Sequence, residues 1–189
     1  MAHSTILPLA LLYTQGRDSV DGATRFQKLI FLAQQEGSIP ERYNYHADKF
    51  GPFSPQLHAD LNELAGRGLL EKNERRNEVG NTKYVYSITP EGIQKVRKVL
   101  QKGGAMSTLF AELQGIKQQY NEDPLQDLLR YVYKKYPDYA TESELDTSRL
   151  FDPDTRSQFL EPDSEKEFIG TEPGEWKDVN SSAEDIFSI

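Results

Sequence analysis

Phe50-Gly51-Pro52-Phe53-Ser54-Pro55-Gln56-Leu57 is the stretch on which the fold turns. Gly51-Pro52 is a turn signal that redirects the chain. Ser54 suits a helix N-cap, and Pro55 takes the first helical position, where its missing N–H costs nothing. Leu57, Leu61 and Leu64 then repeat at helical spacing until Gly66, which predicts a helix with one buried face. Downstream, Leu69-Leu70 leads into a polar loop from Glu71 to Thr82. Tyr84-Val85-Tyr86-Ser87-Ile88 has the aromatic and β-branched content of a strand, so a β-hairpin with a long tip is expected.

Upstream, Ile6 to Gln15 is a short apolar segment stopped by Gly16, and a polar loop through Asp18, Asp21 and Gly22 follows. Phe26, Leu29, Ile30 and Ala33 fall at the i, i+3, i+4, i+7 spacing of a second helix that Gly37 ends. Ser38 to Phe53 reads as irregular and aromatic. Beyond the hairpin, Thr89-Pro90-Glu91 starts a fourth helix with Ile93, Val96 and Leu100 inward, ending at Gly103-Gly104. Met106 to Tyr120 and Pro124 to Tyr136 predict two more, the second capped by Asp123 with Leu125, Leu128, Leu129 and Val132 buried. After Leu150 the periodicity fades among prolines, glycines and acids, the composition of a mostly disordered tail.

The expected fold is therefore mainly α with a small β-hairpin. Three helices followed by a hairpin is the order of a winged helix-turn-helix, in which the third helix can enter a major groove while the hairpin reaches the backbone. Residues 1–103 would form that domain, 104–149 a C-terminal helical extension, and 150–189 an acidic tail.

Composition narrows the chemistry. Cysteine is absent, which excludes thiol catalysis, disulfides and thiolate metal sites. The net charge of -8 resides in the tail: residues 1–149 carry 19 basic and 19 acidic side chains, residues 150–189 only 3 against 11. Between Arg67 and Lys102 the balance is basic, 9 against 4. The longest apolar run, Ile6 to Tyr13, holds Pro8 and falls far short of the roughly 20 residues a membrane span needs. It lacks a signal peptide's basic flank and cleavage site, so a core helix, a cytoplasmic location and no membrane partner are expected.

Arg25-Phe26-Gln27-Lys28-Leu29-Ile30-Phe31-Leu32, the Phe50 to Leu57 turn, Leu61-x-x-Leu64-x-x-Arg67-Gly68-Leu69-Leu70 and Tyr84-x-Tyr86-x-Ile88-Thr89-x-x-Gly92 together carry a resemblance. They are similar to the YwgA-like and Panacea (SocA-type antitoxin) group of prokaryotic winged-helix proteins, which share a K-L-I/L-Y/F-L helix and an aromatic-Gly-Pro turn. The likeness spans roughly Gly22 to Leu100, and Leu128 to Pro137 resembles the group's C-terminal helix. It implies a non-enzymatic regulator, associated with toxin neutralisation, mobile elements or transcription-factor-like roles.

Two functions fit the residues. As a DNA-binding regulator, the chain would hold phosphates through Lys72, Arg75, Arg76 and Lys83 of the hairpin and Lys98 of the next helix, where Lys95, Arg97 and Lys102 extend the basic surface. Gln56 and Asn62 of the third helix, with Arg67 at its end, would offer limited base readout, although Asp60 and Glu63 oppose phosphate there. Alternatively, an antitoxin-like adaptor would grip a toxin or defence-complex subunit, or a second copy of the chain as a homodimer. Its contacts would be Tyr45, Phe50, Phe53, Tyr133, Tyr136, Trp176 and Phe187. For Tyr43, Tyr45, Phe50 and Phe53, packing in the core is the favoured reading over a partner contact. No Gly-rich phosphate loop, nucleophile elbow or paired-carboxylate signature is present, and the spacing of His46, Asp48 and His58 matches no standard metal site. No enzyme activity, cofactor or metal is expected.

Overall fold

The computed structural model describes residues 6–37, 39–76, 82–103, 105–143 and 145, which form six helices and a three-stranded antiparallel sheet. Helix α1 (Ile6–Tyr13) buries Leu7 through Leu12, as a helix apolar on every side must. Strand β1 (Val20–Asp21) follows, where the sequence suggests only a polar loop. Two residues are too few for a periodic signal, and their partners, Tyr86 and Val85, lie far along the chain.

Helix α2 (Ala23–Glu36) is buried continuously from Thr24 to Gln34. It is therefore enclosed on all sides, rather than presenting the single stripe of Phe26, Leu29, Ile30 and Ala33. Helix α3 (Pro55–Gly66) starts as its sequence dictates: Leu57 N donates to Ser54 Oγ at 3.4 Å, and Leu57, Leu61 and Leu64 are its buried residues. Strands β2 (Leu70–Arg76) and β3 (Thr82–Ile88) pair from Leu70 with Ile88 out to Arg76 with Thr82. Glu71 to Arg76 is thus strand, not loop. The sheet order β1-β3-β2 leaves β2 an edge, and only Leu70 of it is buried, so apolar alternation is not required. Charge along such an edge also discourages pairing with other chains. Residues 77–81, most of the expected tip, lie outside the described residues.

Helix α4 (Pro90–Leu100) is capped by Thr89, whose Oγ1 accepts from Gly92 N at 3.1 Å. Helices α5 (Ala105–Tyr120) and α6 (Leu125–Lys135) follow. Asp123 does not cap α6: its carbonyl accepts from Arg25 at 2.7 Å, and no side chain caps that helix. Leu113, Ile116 and Tyr120 of α5 and Leu128, Leu129 and Val132 of α6 join Leu9, Leu12, Phe26 and Ile30 in one hydrophobic cluster. The C-terminal helices therefore share a core with the segment before them. Among the described residues no helix is long and apolar enough to cross a membrane. The tail from 150 to 189, with Trp176 and Phe187, lies outside the described residues.

Candidate functional site

The motif residues of α2 point inward, at the aromatic-Gly-Pro turn. Gln27 Nε2 donates to Ser54 O at 3.0 Å and Gln27 Oε1 accepts from Ser54 N at 3.1 Å. Lys28 Nζ donates to Pro52 O at 3.0 Å. Nearly two turns further, Gln34 accepts from Arg42 N and Tyr43 N and donates to Tyr43 O. A buried irregular segment has backbone groups with no ladder to satisfy them, and these three side chains supply the missing partners. The two halves of the sequence motif are one internal clamp. Lys28 is enclosed so completely that desolvation lowers its pKa to about 7, against a smaller opposing pull from Asp48.

That clamp removes several aromatics from the candidate surface. Phe53 and Tyr133 are buried in the core, which corrects their assignment to a partner interface. Tyr45 is drawn in as well: its hydroxyl donates to Gln27 O at 3.3 Å, its ring stands edge-on to Phe31 at 5.1 Å, and burial holds its phenol well above the usual range. Phe50 and Tyr136 are half-buried, and Tyr136 packs on Phe31 at 5.0 Å while its hydroxyl reaches Glu36. Gly51, at φ 84, brings the backbone so close that a Cβ would stand 2.5 Å from Tyr133 Cε1. His46 and His58 both face the Phe53 ring, at 5.7 and 6.3 Å. His58 is pushed down to about 4 by burial and by Lys72. No group of three metal-ligating side chains gathers among the described residues.

The basic residues of the hairpin do not form one patch. Alternation along β2 places Lys72 and Arg76 on one face and Arg75 on the other, beside its cross-strand partner Lys83. Lys72 is turned toward α3, donating to Asn62 Oδ1 at 3.2 Å and lying over the Tyr84 ring at 4.3 Å. Asn62 is thereby engaged within the fold, not presented alone for base readout. On the opposite face Asp21 of β1 forms ion pairs with Lys83 at 3.0 Å and Arg75 at 3.6 Å. The Arg75 side chain stays 61% exposed, so it remains available to a ligand, and Arg76 is exposed too.

At the base of β2 a second cationic group appears. Arg67, Lys95 and Lys98 line a cleft of about 320 Å³ with Leu69, Glu91 and Gln94. Arg67 is paired with Glu63 at 2.8 Å, and both remain half exposed. Gln56 is exposed on α3, while Asp60 is committed to the Tyr43 hydroxyl at 2.8 Å. The charge run between Arg67 and Lys102 thus divides among the sheet's two faces, the cleft beneath, and the exposed Arg97 and Lys102. Neither a protein-family model nor a curated protein matches the chain.

Proposed function

We propose that residues 6–100 form a winged helix that binds the backbone of duplex DNA, with the hairpin as its principal phosphate contact. The order α1-β1-α2-α3-β2-β3, with β1 closing the sheet beside β3, supports the fold. The observation that carries the function is the far end of the hairpin, where Arg75 and Arg76 stand exposed on opposite faces of a strand about 20 Å long. A backbone ligand can be held from two sides by such a pair. α3 offers Gln56 for base contact, and its Asp60 and Glu63 are each occupied by a protein partner, which reduces their repulsion of phosphate. Affinity then comes mainly from phosphates and sequence preference is weak.

The test is fluorescence anisotropy of a labelled mixed-sequence duplex across a salt series. Substituting Arg75, Arg76 and Lys83 together by alanine should weaken binding at low salt by at least about tenfold and flatten the log-log salt slope by roughly 2 to 3. Unchanged affinity in that variant, or no binding by the native chain at low salt, overturns the reading.

Asp21 provides the opposite perturbation. Asp21→Asn removes the carboxylate shared by Arg75 and Lys83, so the protein should elute from a heparin column at higher salt than the native chain. Both ion pairs are partly solvated, but Asp21 also offsets part of the desolvation of the buried Arg25, so the stability loss should be about 1 to 2 kcal/mol. Earlier elution would show that Asp21 orients these cations instead of competing for them.

A further inference from the structure

The open cleft under the hairpin combines one apolar side chain, Leu69, with three cations. Half-buried Leu69 and exposed Arg67 line it from the segment between α3 and β2, and Lys95 and Lys98 from successive turns of α4. Glu91 is the only acid among its lining residues, and Glu63 engages only part of the Arg67 guanidinium. Simple phosphate would leave Leu69 unused. A short acidic peptide with one large apolar side chain uses both parts, because the ring covers Leu69 and the lysine stems while carboxylates meet the charged ends.

The chain carries such a peptide. Residues 172–178 read Glu-Pro-Gly-Glu-Trp-Lys-Asp, so Trp176 is flanked by Glu172, Glu175 and Asp178 against the single cation Lys177. Tryptophan is the side chain most often found as a buried anchor in recognition pockets. We infer that this segment docks in the cleft, with the Trp176 ring over Leu69 and the flanking carboxylates on Arg67, Lys95 and Lys98. Reach is no obstacle. About 30 residues separate Leu145 from Trp176, up to about 100 Å of extended chain, whereas a body of this size is roughly 40 Å across. Tethering also raises the effective concentration to the millimolar range when the linker spans the sites, so a contact too weak to persist between separate molecules is populated within one. The inference does not depend on DNA binding, since it needs only the cleft and the acidic segment.

Trp176 is the chain's single tryptophan, so its fluorescence reports on this contact directly. Acrylamide quenching would be measured on the full chain, on Lys95→Glu/Lys98→Glu, and on Arg42→Glu/Lys134→Glu, which makes the same charge change at exposed positions elsewhere. Circular dichroism would establish that all three are folded. At low salt the native chain and the Arg42/Lys134 control should quench at least about twofold less than the cleft variant, independently of protein concentration. Raising the salt in the native chain should close most of the gap without any substitution. Equal quenching in all three proteins, whether shielded or open, overturns the proposal. So does equal loss of shielding in both variants, which would mean a diffuse attraction, or shielding that grows with protein concentration, which would mean a second copy as the occupant.

Discussion

Gly92→Ala is expected to be the most damaging single-methyl addition in the fold, lowering the urea midpoint by roughly 1 to 2 M. A Cβ at position 92 would stand 2.1 Å from the carbonyl oxygen of Leu69 and 2.8 Å from Ile88 Cγ1. The first of these is main chain and cannot rotate away. α4 would have to lift off the turn that joins α3 to β2, and that turn is tied to the helix start at several points. Thr89 Oγ1 donates to Gly68 O at 2.7 Å and accepts from Gly92 N, and Thr89 N donates to Leu69 O at 3.3 Å. Displacing α4 therefore loses the cap together with the packing of Val96, a loss of about 3 kcal/mol or more. With a urea m-value of about 2 kcal/mol/M this gives the stated shift. Gly51→Ala should cost less: its φ of 84 is unfavourable to alanine, but the obstructing atom, at 2.5 Å, belongs to a side chain, Tyr133, and not to main chain at 2.1 Å. Equal midpoints for Gly92→Ala and the native protein would mean that α4 is not seated on Leu69 as described. The same substitution should open the cleft, because Leu69 lines it and Lys95 and Lys98 follow from α4.

The caps of α3 and α4 and the leucine stripe of α3 are the parts that folded as read. Ser54 and Thr89 each accept a backbone N–H three residues on, and Leu57, Leu61 and Leu64 are buried, because a cap and a periodic stripe are local properties. What escaped notice depends on distant partners. β1 exists only because β3 lies beside it, and Asp123 fails to cap α6 while its carbonyl serves Arg25. Gln27, Lys28 and Gln34 look like solvent-facing residues of an amphipathic helix, yet they are the hydrogen-bond donors and acceptors of a neighbouring buried loop. The candidate site was legible to the same degree. Charge counting nominates Arg67 to Lys102, but which face each residue occupies follows from the β2–β3 register, and a shift of one residue would reverse it. Aromatic content nominates Phe53 and Tyr133 as surface contacts, but Tyr133 lies buried against Gly51, and Phe53 is buried with its ring against those of His46 and His58.

The second large effect concerns pH. Stability should rise from pH 7, peak between about 9 and 10, and fall beyond. Lys28 and Lys117 are both buried, Lys28 on Pro52 O and Lys117 on the carbonyls of Thr14 and Asp18. Desolvation lowers them to about 7 and about 8, with Asp48 opposing the first and Asp18 and Glu122 the second. In the unfolded chain both titrate near 10.4. Between these limits the unfolded state binds protons that the native state has released, so unfolding becomes less favourable as pH rises. Each group contributes up to about 1.4 kcal/mol per pH unit, which gives a gain on the order of 5 kcal/mol between pH 7 and 9.5, somewhat more than half of it from Lys28. Above pH 10 the sign reverses. Burial pushes Tyr133 up to about 12 and Tyr43 and Tyr86 further still, so the unfolded chain loses phenolic protons that the native state keeps. Urea titrations at intervals of one pH unit would trace this dome. Lys28→Met should remove roughly half of the rising limb and leave the falling limb in place, since it deletes one lysine and no phenol. A native protein whose stability is level or declining from pH 7 to 9 would mean that neither ammonium is held away from water, and the clamp on the Gly51-Pro52 turn would then have to be open in solution.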